Sequence, residues 1–300
     1  MANENTFVKD AGAWKMATDI HIRDAGVWKS VKGIWTHDGG VWRKVYFKCF
    51  RFDYTYNTAA ASPSMAALAT SLGWNGVDPV VGSVVVNTNI YSVYAGTAAF
   101  YCHGLPAGSA INLTVNGGCT IGGRGGDGGL GGGGYGNNGG HGLYVRNTLN
   151  IVNHGIIAGG GGGGGGGGSV AEPNVGGSGG GGGRGGANGG ASASGSYAYG
   201  NNGNASSFSA LGAGGDRVYA RVDQVDGEGN IVLTQEAYNG AGGNGGDWGQ
   251  PGAAGNHAEN IQNASLNSFP GGGGAGGWAV DGNSFVTWLA TGTRYGTLGN

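Results

Sequence analysis

Apolar residues follow three different rhythms along this chain. The first is a repeat of period 14 at the front: VKDAGAWK at 8–15, IRDAGVWK at 22–29 and THDGGVWR at 36–43. Asp-Ala-Gly or Asp-Gly-Gly makes a tight turn in which glycine takes positive φ. Ile20 and Ile22 before the second turn, and Val27 after it, alternate as strand residues do. Each repeat predicts a β-hairpin. Trp14, Trp28 and Trp42 recur in register, with Trp35 between the last two. A single hairpin is marginal, but three can share one apolar face. The expectation is a small all-β module around a tryptophan cluster, occupying residues 1–49.

The second rhythm is plain alternation. Tyr46, Lys48, Phe50, Phe52, Tyr54 and Tyr56 predict one strand over 46–56. Ser62-Pro63 predicts a helix start, with the serine as N-cap and proline in the first turn. Met65, Leu68, Ala69 and Leu72 make its apolar stripe, and Gly73 ends it. Trp74-Asn75-Gly76 then turns the chain into strands over 80–86 and 90–94. Residues 50–110 therefore read as a small α+β connector.

The third rhythm is glycine interrupted by short apolar inserts. Leu113, Val115, Asn116-Gly117 and Ile121 predict a strand, a turn and a second strand that runs into glycine. Leu149, Ile151, Asn153 and Ile157 repeat the arrangement, and 280–288 reads as a third version with its turn at Asp281-Gly282-Asn283. Glycine tracts cover 122–142, 159–168, 176–190, 240–255 and 271–277. A flexible linker has no need of returning Ile and Val anchors. The other arrangement open to such tracts is a set of parallel polyproline-II-type rods, with three residues per turn and no internal hydrogen bonds. Their outward backbone groups need partners, which neighbouring glycine rods supply because no Cβ separates them. At about 3.1 Å per residue the run 159–168 would span about 31 Å. Residues 216–236 read differently, as a hairpin turning at Asp226-Gly227. The expected fold of the whole is thus mostly β and irregular: the hairpin module, the α+β connector, and a polyglycine-II sandwich with interspersed short strands over 111–300.

Composition sharpens this. Glycine supplies 75 of 300 residues, charged residues only 11%, and the net charge is −2. So little charge argues against a solvated disordered chain and against a charge-driven nucleic-acid binder. Every lysine lies at or before Lys48, so the front is basic and the remainder acidic. Cys49, Cys102 and Cys119 are far apart and form no CxxC pattern, which predicts buried thiols rather than a disulfide framework. Neither a signal peptide nor a membrane span is evident, so synthesis in a cytoplasm is expected.

Motifs that carry chemistry are few. GxGxxG recurs throughout the glycine tracts, without the strand, helix and downstream acid of a dinucleotide site. GGRGG around Arg124 and Arg184 supplies too few arginines to bind RNA. The histidines are scattered without metal spacing, and Asp223, Asp226 and Glu228 flank a turn rather than forming a hydrolytic pair. The expectation is no enzyme activity, no catalytic residue, no metal and no cofactor. The segments between glycine tracts instead carry Tyr, Trp, Phe, Asn and Ser, the composition of recognition loops.

Several of these stretches resemble glycine-rich bacteriophage tail-fibre adhesins of the T-even type. The resemblance lies in residues 111–190 with their Asn-Gly turns and glycine runs. It extends to the ending Val286-Thr287-Trp288 through Gly292-Thr293-Arg294-Tyr295-Gly296, while Gly73-Trp74-Asn75-Gly76 before Pro79 and the Asp-Gly-Gly-Val-Trp repeats resemble phage virion proteins more broadly. It implies a virion protein at the distal tip of a tail fibre or tail, made in the host cytoplasm. Polyglycine-II rods would form its scaffold, and the loops between them would recognise a host outer-membrane protein, with surface polysaccharide as second choice. Carried onto this chain, the receptor-contact candidates are Tyr135, Asn137, Asn138, Glu172, Asn174, Tyr197, Tyr199, Phe208, Tyr238 and Trp248. Attachment to a fibre or tail protein falls to the N-terminal half, with Trp14, Trp28, Trp35 and Trp42 as candidates. The alternative is a purely structural tail or baseplate component that touches no receptor. The tryptophan hairpins and the 216–236 hairpin stand outside the family pattern.

Overall fold

The computed structural model of the chain describes residues 7–10, 13–16, 20–38, 40–171, 174–196, 198–261 and 267–300. Three hairpins open it: Phe7–Asp10 with Ala13–Met16, His21–Asp24 with Val27–Ser30, and Gly33–Asp38 with Val41–Phe47. In the second, Ala25 and Gly26 both take positive φ, the geometry whose twist matches a two-residue hairpin. Each hairpin is its own two-stranded sheet. The expected tryptophan cluster is not a core: Trp28 and Trp42 are each 66% exposed, and Trp35 is exposed as well. The single strand expected over 46–56 is two, Val41–Phe47 and Phe50–Tyr56, in different sheets.

From Phe50 onward the short strands stack into three parallel sheets. One runs Val286–Ala290, Thr148–Asn153, Ala110–Val115, Val80–Val86, Phe50–Tyr56. The second runs Thr293–Tyr295, Ile156–Ala158, Thr120–Gly122, Ile90–Tyr91, Ala60–Ala61. The third runs Ala98–Cys102, His141–Val145, Val280–Asp281, Leu298–Gly299. Successive strands visit the sheets in turn, so the chain winds as a three-faced parallel β-helix whose coils cross position 110 without interruption. Side chains alternate in and out, as in the buried, half-buried alternation of Val80–Val86. The inward ones form ladders: Val84, Leu113 and Ile151 on the first face, Ile90, Ile121 and Ile157 on the second, Phe100, Leu143 and Val280 on the third. Gly82 is required here because a Cβ would strike the Phe52 ring on the neighbouring coil.

Asparagines mark the corner between the first two faces. Asn87 donates its amide to Asn57 at 3.0 Å and accepts from Asn116 in the coil above, while Asn153 donates to the Thr291 carbonyl at 2.9 Å. The repeat seen around Asn116 and Asn153 is thus one coil stacked on another. Its third copy is shifted from expectation: Val286 pairs with Leu149 and Thr293 with Ile156, so the corresponding corner is Thr291-Gly292, and Asp281-Gly282-Asn283 turns a different corner. Among the described residues the only α-helix is Met65–Ser71, with Met65 and Ala69 buried and Gly73 at φ 99 beyond it. Its N-cap is Ser64 rather than Ser62. Ser62 has φ 48 and donates its hydroxyl to the Ala98 carbonyl, holding a β-helix corner.

Glycine enters as two excursions from one edge, between the second and third faces: 123–140, and 159–279. Every residue of 159–168 is buried, and the backbone of the segment is saturated. Successive N–H groups donate in rotation to three neighbours: Gly160 to Gly140, Gly161 to Arg184, Gly162 to Gln250, then Gly163 to Asn137, Gly164 to Gly181, Gly165 to Ala253. Its carbonyls accept from three further segments, through Gly129, Gly243 and Gly274 among others. The six neighbours leave no room for side chains. The tract leaves the β-helix at Ala158, and segments run alternately out and back, which gives the region a proximal end beside the β-helix and a distal end.

The return seam carries a titratable clasp. His141 Nδ1 accepts the Trp278 N–H at 3.1 Å. Burial holds its imidazole below the ordinary 6.5, against the opposing pull of Asp281. A depressed folded value means the neutral ring stabilises the fold fully above 6.5, and this contribution is lost as pH falls through the folded value. Melting temperature should therefore drop as pH falls below 6.5, and His141→Asn should flatten that part of the profile.

Candidate functional site

The glycine segments sort their connecting turns by end. The proximal turns lie around Arg184, Phe208 and Trp248; the distal ones include 130–135, 169–171 with 174–175, 194–196 with 198–199, the hairpin Tyr219–Val225 and Ile231–Tyr238, and 257–261 with 267–269. Polar and aromatic residues from five separate turns thus share the distal end, displayed on a scaffold whose backbone hydrogen bonds are satisfied.

Two candidates fall at the proximal end. Trp248 is 6% exposed, its ring packed on Phe208 at 5.2 Å and against Gly122, with the Arg184 guanidinium 5.5 Å above it. Phe208 is half-buried and reaches Tyr91 of the second face at 6.3 Å. Arg184 and the Trp248 N–H both donate to the Asp247 carboxylate at 2.7 Å. Burial alone would raise that carboxyl, but these two bonds hold it below 3.8. This assembly packs the glycine region against the β-helix through Trp248, Phe208 and Tyr91, with Trp248 buried and Phe208 half-buried. Trp248→Ala should cost about 3–5 kcal/mol, read as a lowered midpoint in calorimetry.

The remaining candidates divide again. Tyr135 is 77% exposed beside the distal turn, its ring lying over Gly272. Tyr199 is exposed at the same end, and Asn174 donates its amide to Ser196 at 3.4 Å, linking two distal turns. Asn137 and Asn138 are exposed but sit within a rod: the Asn137 carbonyl accepts from Gly163, and the Asn138 side chain accepts the Ala275 N–H at 2.8 Å. Tyr238 is half-buried at the foot of the hairpin, 4.8 Å from the Tyr219 ring and 4.3 Å beneath the Arg217 guanidinium. Glu172 and Tyr197 lie outside the described residues, as does the side chain of Trp14.

Sequence reading set Val225, Ile231 and Leu233 in the strands of this hairpin without a contact role; they and Val232 are exposed near its tip, and Phe269 is exposed beside His257. Apolar residues in a strand read as core, and only the lone position of this hairpin at the end of a rod bundle turns them outward. Among the described residues no group of three His, Cys, Asp or Glu side chains could hold a metal ion, and no helix is long and apolar enough to cross a membrane.

Comparison with known proteins points to phage tail-fibre adhesins. The family model of the phage tail fibre adhesin Gp38 matches residues 51–299. A solved structure, the gp37-gp38 adhesin tip complex of the bacteriophage S16 long tail fibre, contains a similar chain. The two are 30% identical with a TM-score of 0.51, and the match covers 84% of this chain and 83% of that one. No curated protein matches.

Proposed function

The chain belongs to the phage tail fibre adhesin Gp38 family, and from that premise we propose that it caps a tail-fibre tip and grips a host outer-membrane protein through its distal turns. The family is one of adhesins, and the chain works by binding rather than catalysis. The observation that carries the receptor assignment is the convergence of Tyr135, Asn174 and Tyr199 at one end of the rods, with Glu172 and Tyr197 on the same turns in sequence.

The glycine region is read as a polyglycine-II sandwich. In its support, the donors of 160–168 rotate among three neighbours with period three, the repeat of a threefold helix without internal hydrogen bonds. Residues 1–49 form the attachment module, 50–110 the connector that starts the β-helix, and 111–300 the recognition region, whose first and last strands complete the coils. The S16 relative is a complex of gp38 with gp37, and the partner proposed for this chain is likewise a fibre protein, met by the exposed Trp28, Trp35 and Trp42 with Trp14.

Adsorption to host cells tests the receptor contacts. Tyr135→Ala combined with Tyr199→Ala should lower binding of the purified chain to host outer membranes by at least about tenfold, with an unchanged melting temperature. Unchanged adsorption would leave the chain a structural tip component.

A further inference from the structure

An open cavity at the foot of the distal hairpin lies apart from Tyr135 and Tyr199, where the segment ending at Asn256 leaves the glycine lattice. It encloses about 320 Å³ and is lined by Arg217, Asn256, His257, Ala258 and Glu259. Buried Ala258 makes a small apolar floor, part of a satellite core with Ala220 and Ala237. One wall is rigid. Arg217 donates to Glu259 at 2.6 Å and to the Asn239 carbonyl at 3.2 Å, and its guanidinium carbon lies 4.3 Å from the Tyr238 ring centroid. The opposite side is unengaged: the Asn256 amide and the His257 imidazole have no side-chain hydrogen-bond partner among the described residues. The His257 ring meets Phe269 edge-on at 5.6 Å, and Phe269 is 79% exposed.

We infer that this cavity binds one neutral saccharide unit, adding a glycan contact to the protein contacts of the distal turns; the inference rests on the reading that this end meets the host envelope. An exposed aromatic ring beside a polar cavity covers the C–H face of a pyranose, an apolar body with a polar rim. The free amide offers both donors and an acceptor, and the imidazole one of each, matching hydroxyls that donate and accept. Charge selects the class. The one cation of the lining is already paired with its one carboxylate, so a phosphate or carboxylate on the sugar would find no free counter-charge and would face Glu259. The volume stands at the lower end of small-ligand sites, roughly 300–1,000 Å³, enough for a single ring. The doubly bonded Arg217 holds its wall in place before the ligand arrives, which lowers the ordering cost of binding.

Saturation-transfer NMR on the full chain tests this with neutral methyl hexosides and their phosphate esters as probes. At least one neutral hexoside should receive saturation from aromatic protons, and its phosphate ester should bind more weakly. Phe269→Ala and Asn256→Ala should each weaken that signal about tenfold with unchanged melting, while Tyr199→Ala leaves it intact. Transfer to no neutral hexoside, transfer indifferent to both substitutions, or preference for the phosphate ester would overturn the assignment. Adsorption of the unmodified chain to host cells is scored separately. If it persists without any sugar signal, the glycan site fails and the receptor reading stands; if adsorption is absent, the receptor reading fails on its own evidence.

Discussion

Gly164→Ala should abolish the cooperative melt of the glycine region. The added Cβ would sit against the Gly243 carbonyl, well inside van der Waals contact, with the Asn244 carbonyl 2.7 Å away. Both obstacles are backbone, fixed by hydrogen bonds of their own. The Gly164 N–H is held by Gly181 at 2.8 Å and its carbonyl by Gly129 at 2.7 Å, so the rod cannot step aside without breaking bonds to other segments. In an exposed, open position the same change stabilises by about 0.4–1 kcal/mol, because alanine has less freedom to lose. Here the sign reverses. The cost should exceed the roughly 1–3 kcal/mol of ordinary overpacking, since no side chain can rotate away. Gly227→Ala supplies the control: a Cβ there meets nothing within 4 Å, and its effect should stay within about 0.5 kcal/mol. Calorimetry of the two variants side by side reads the difference. Equal melts would mean that the rods are not close-packed.

Replacing Trp28 and Trp42 by serine should reduce capture by the partner fibre at least about 100-fold, because large exposed aromatics dominate interfaces. A two-stranded hairpin is marginal in water, and these rings have no core to join in the chain alone. A partner that covers them would gain apolar burial and fix the hairpins at once. The substitutions fall outside the β-helix, so the melt of residues 50–299 should not move. Surface plasmon resonance against the immobilised fibre tip measures the loss, and unaltered capture would shift attachment to the β-helix itself.

How much of this was legible depended on whether local residues or distant ones decide. The hairpins announce themselves through Asp-Ala-Gly turns, and the 219–238 hairpin through Asp226-Gly227, because turn chemistry is local. The repeat of Leu113–Ile121 in Leu149–Ile157 was visible too. Its meaning as one coil upon another was not, because 37 residues of spacing do not reveal that the intervening strands Ala98–Cys102 and His141–Val145 form a third face. Trp248 and Phe208 carried the composition of a recognition loop, and only the out-and-back sense of the rods sets them at the proximal end. Counting reversals along the tracts would have shown it, had the lengths of the short tracts been readable from glycine content. The cavity at Asn256 and His257 left no signal in sequence, since its Arg217 wall comes from a segment some forty residues away.

The rotation of donors along 160–168 also limits how a gene for such a scaffold can change length. One codon gained or lost inside a rod would turn every later N–H by a third of a circle, toward the wrong neighbour, and the error would propagate to all six surrounding segments. Three codons together would restore the phase and merely lengthen the rod. At the turns no such frame exists, because nothing beyond them counts residues. Drift in length should therefore be punctuated: triplets of residues within the rods, any number at their ends. A lineage under pressure to alter what it binds can rewrite the ends freely while the interior stays in step.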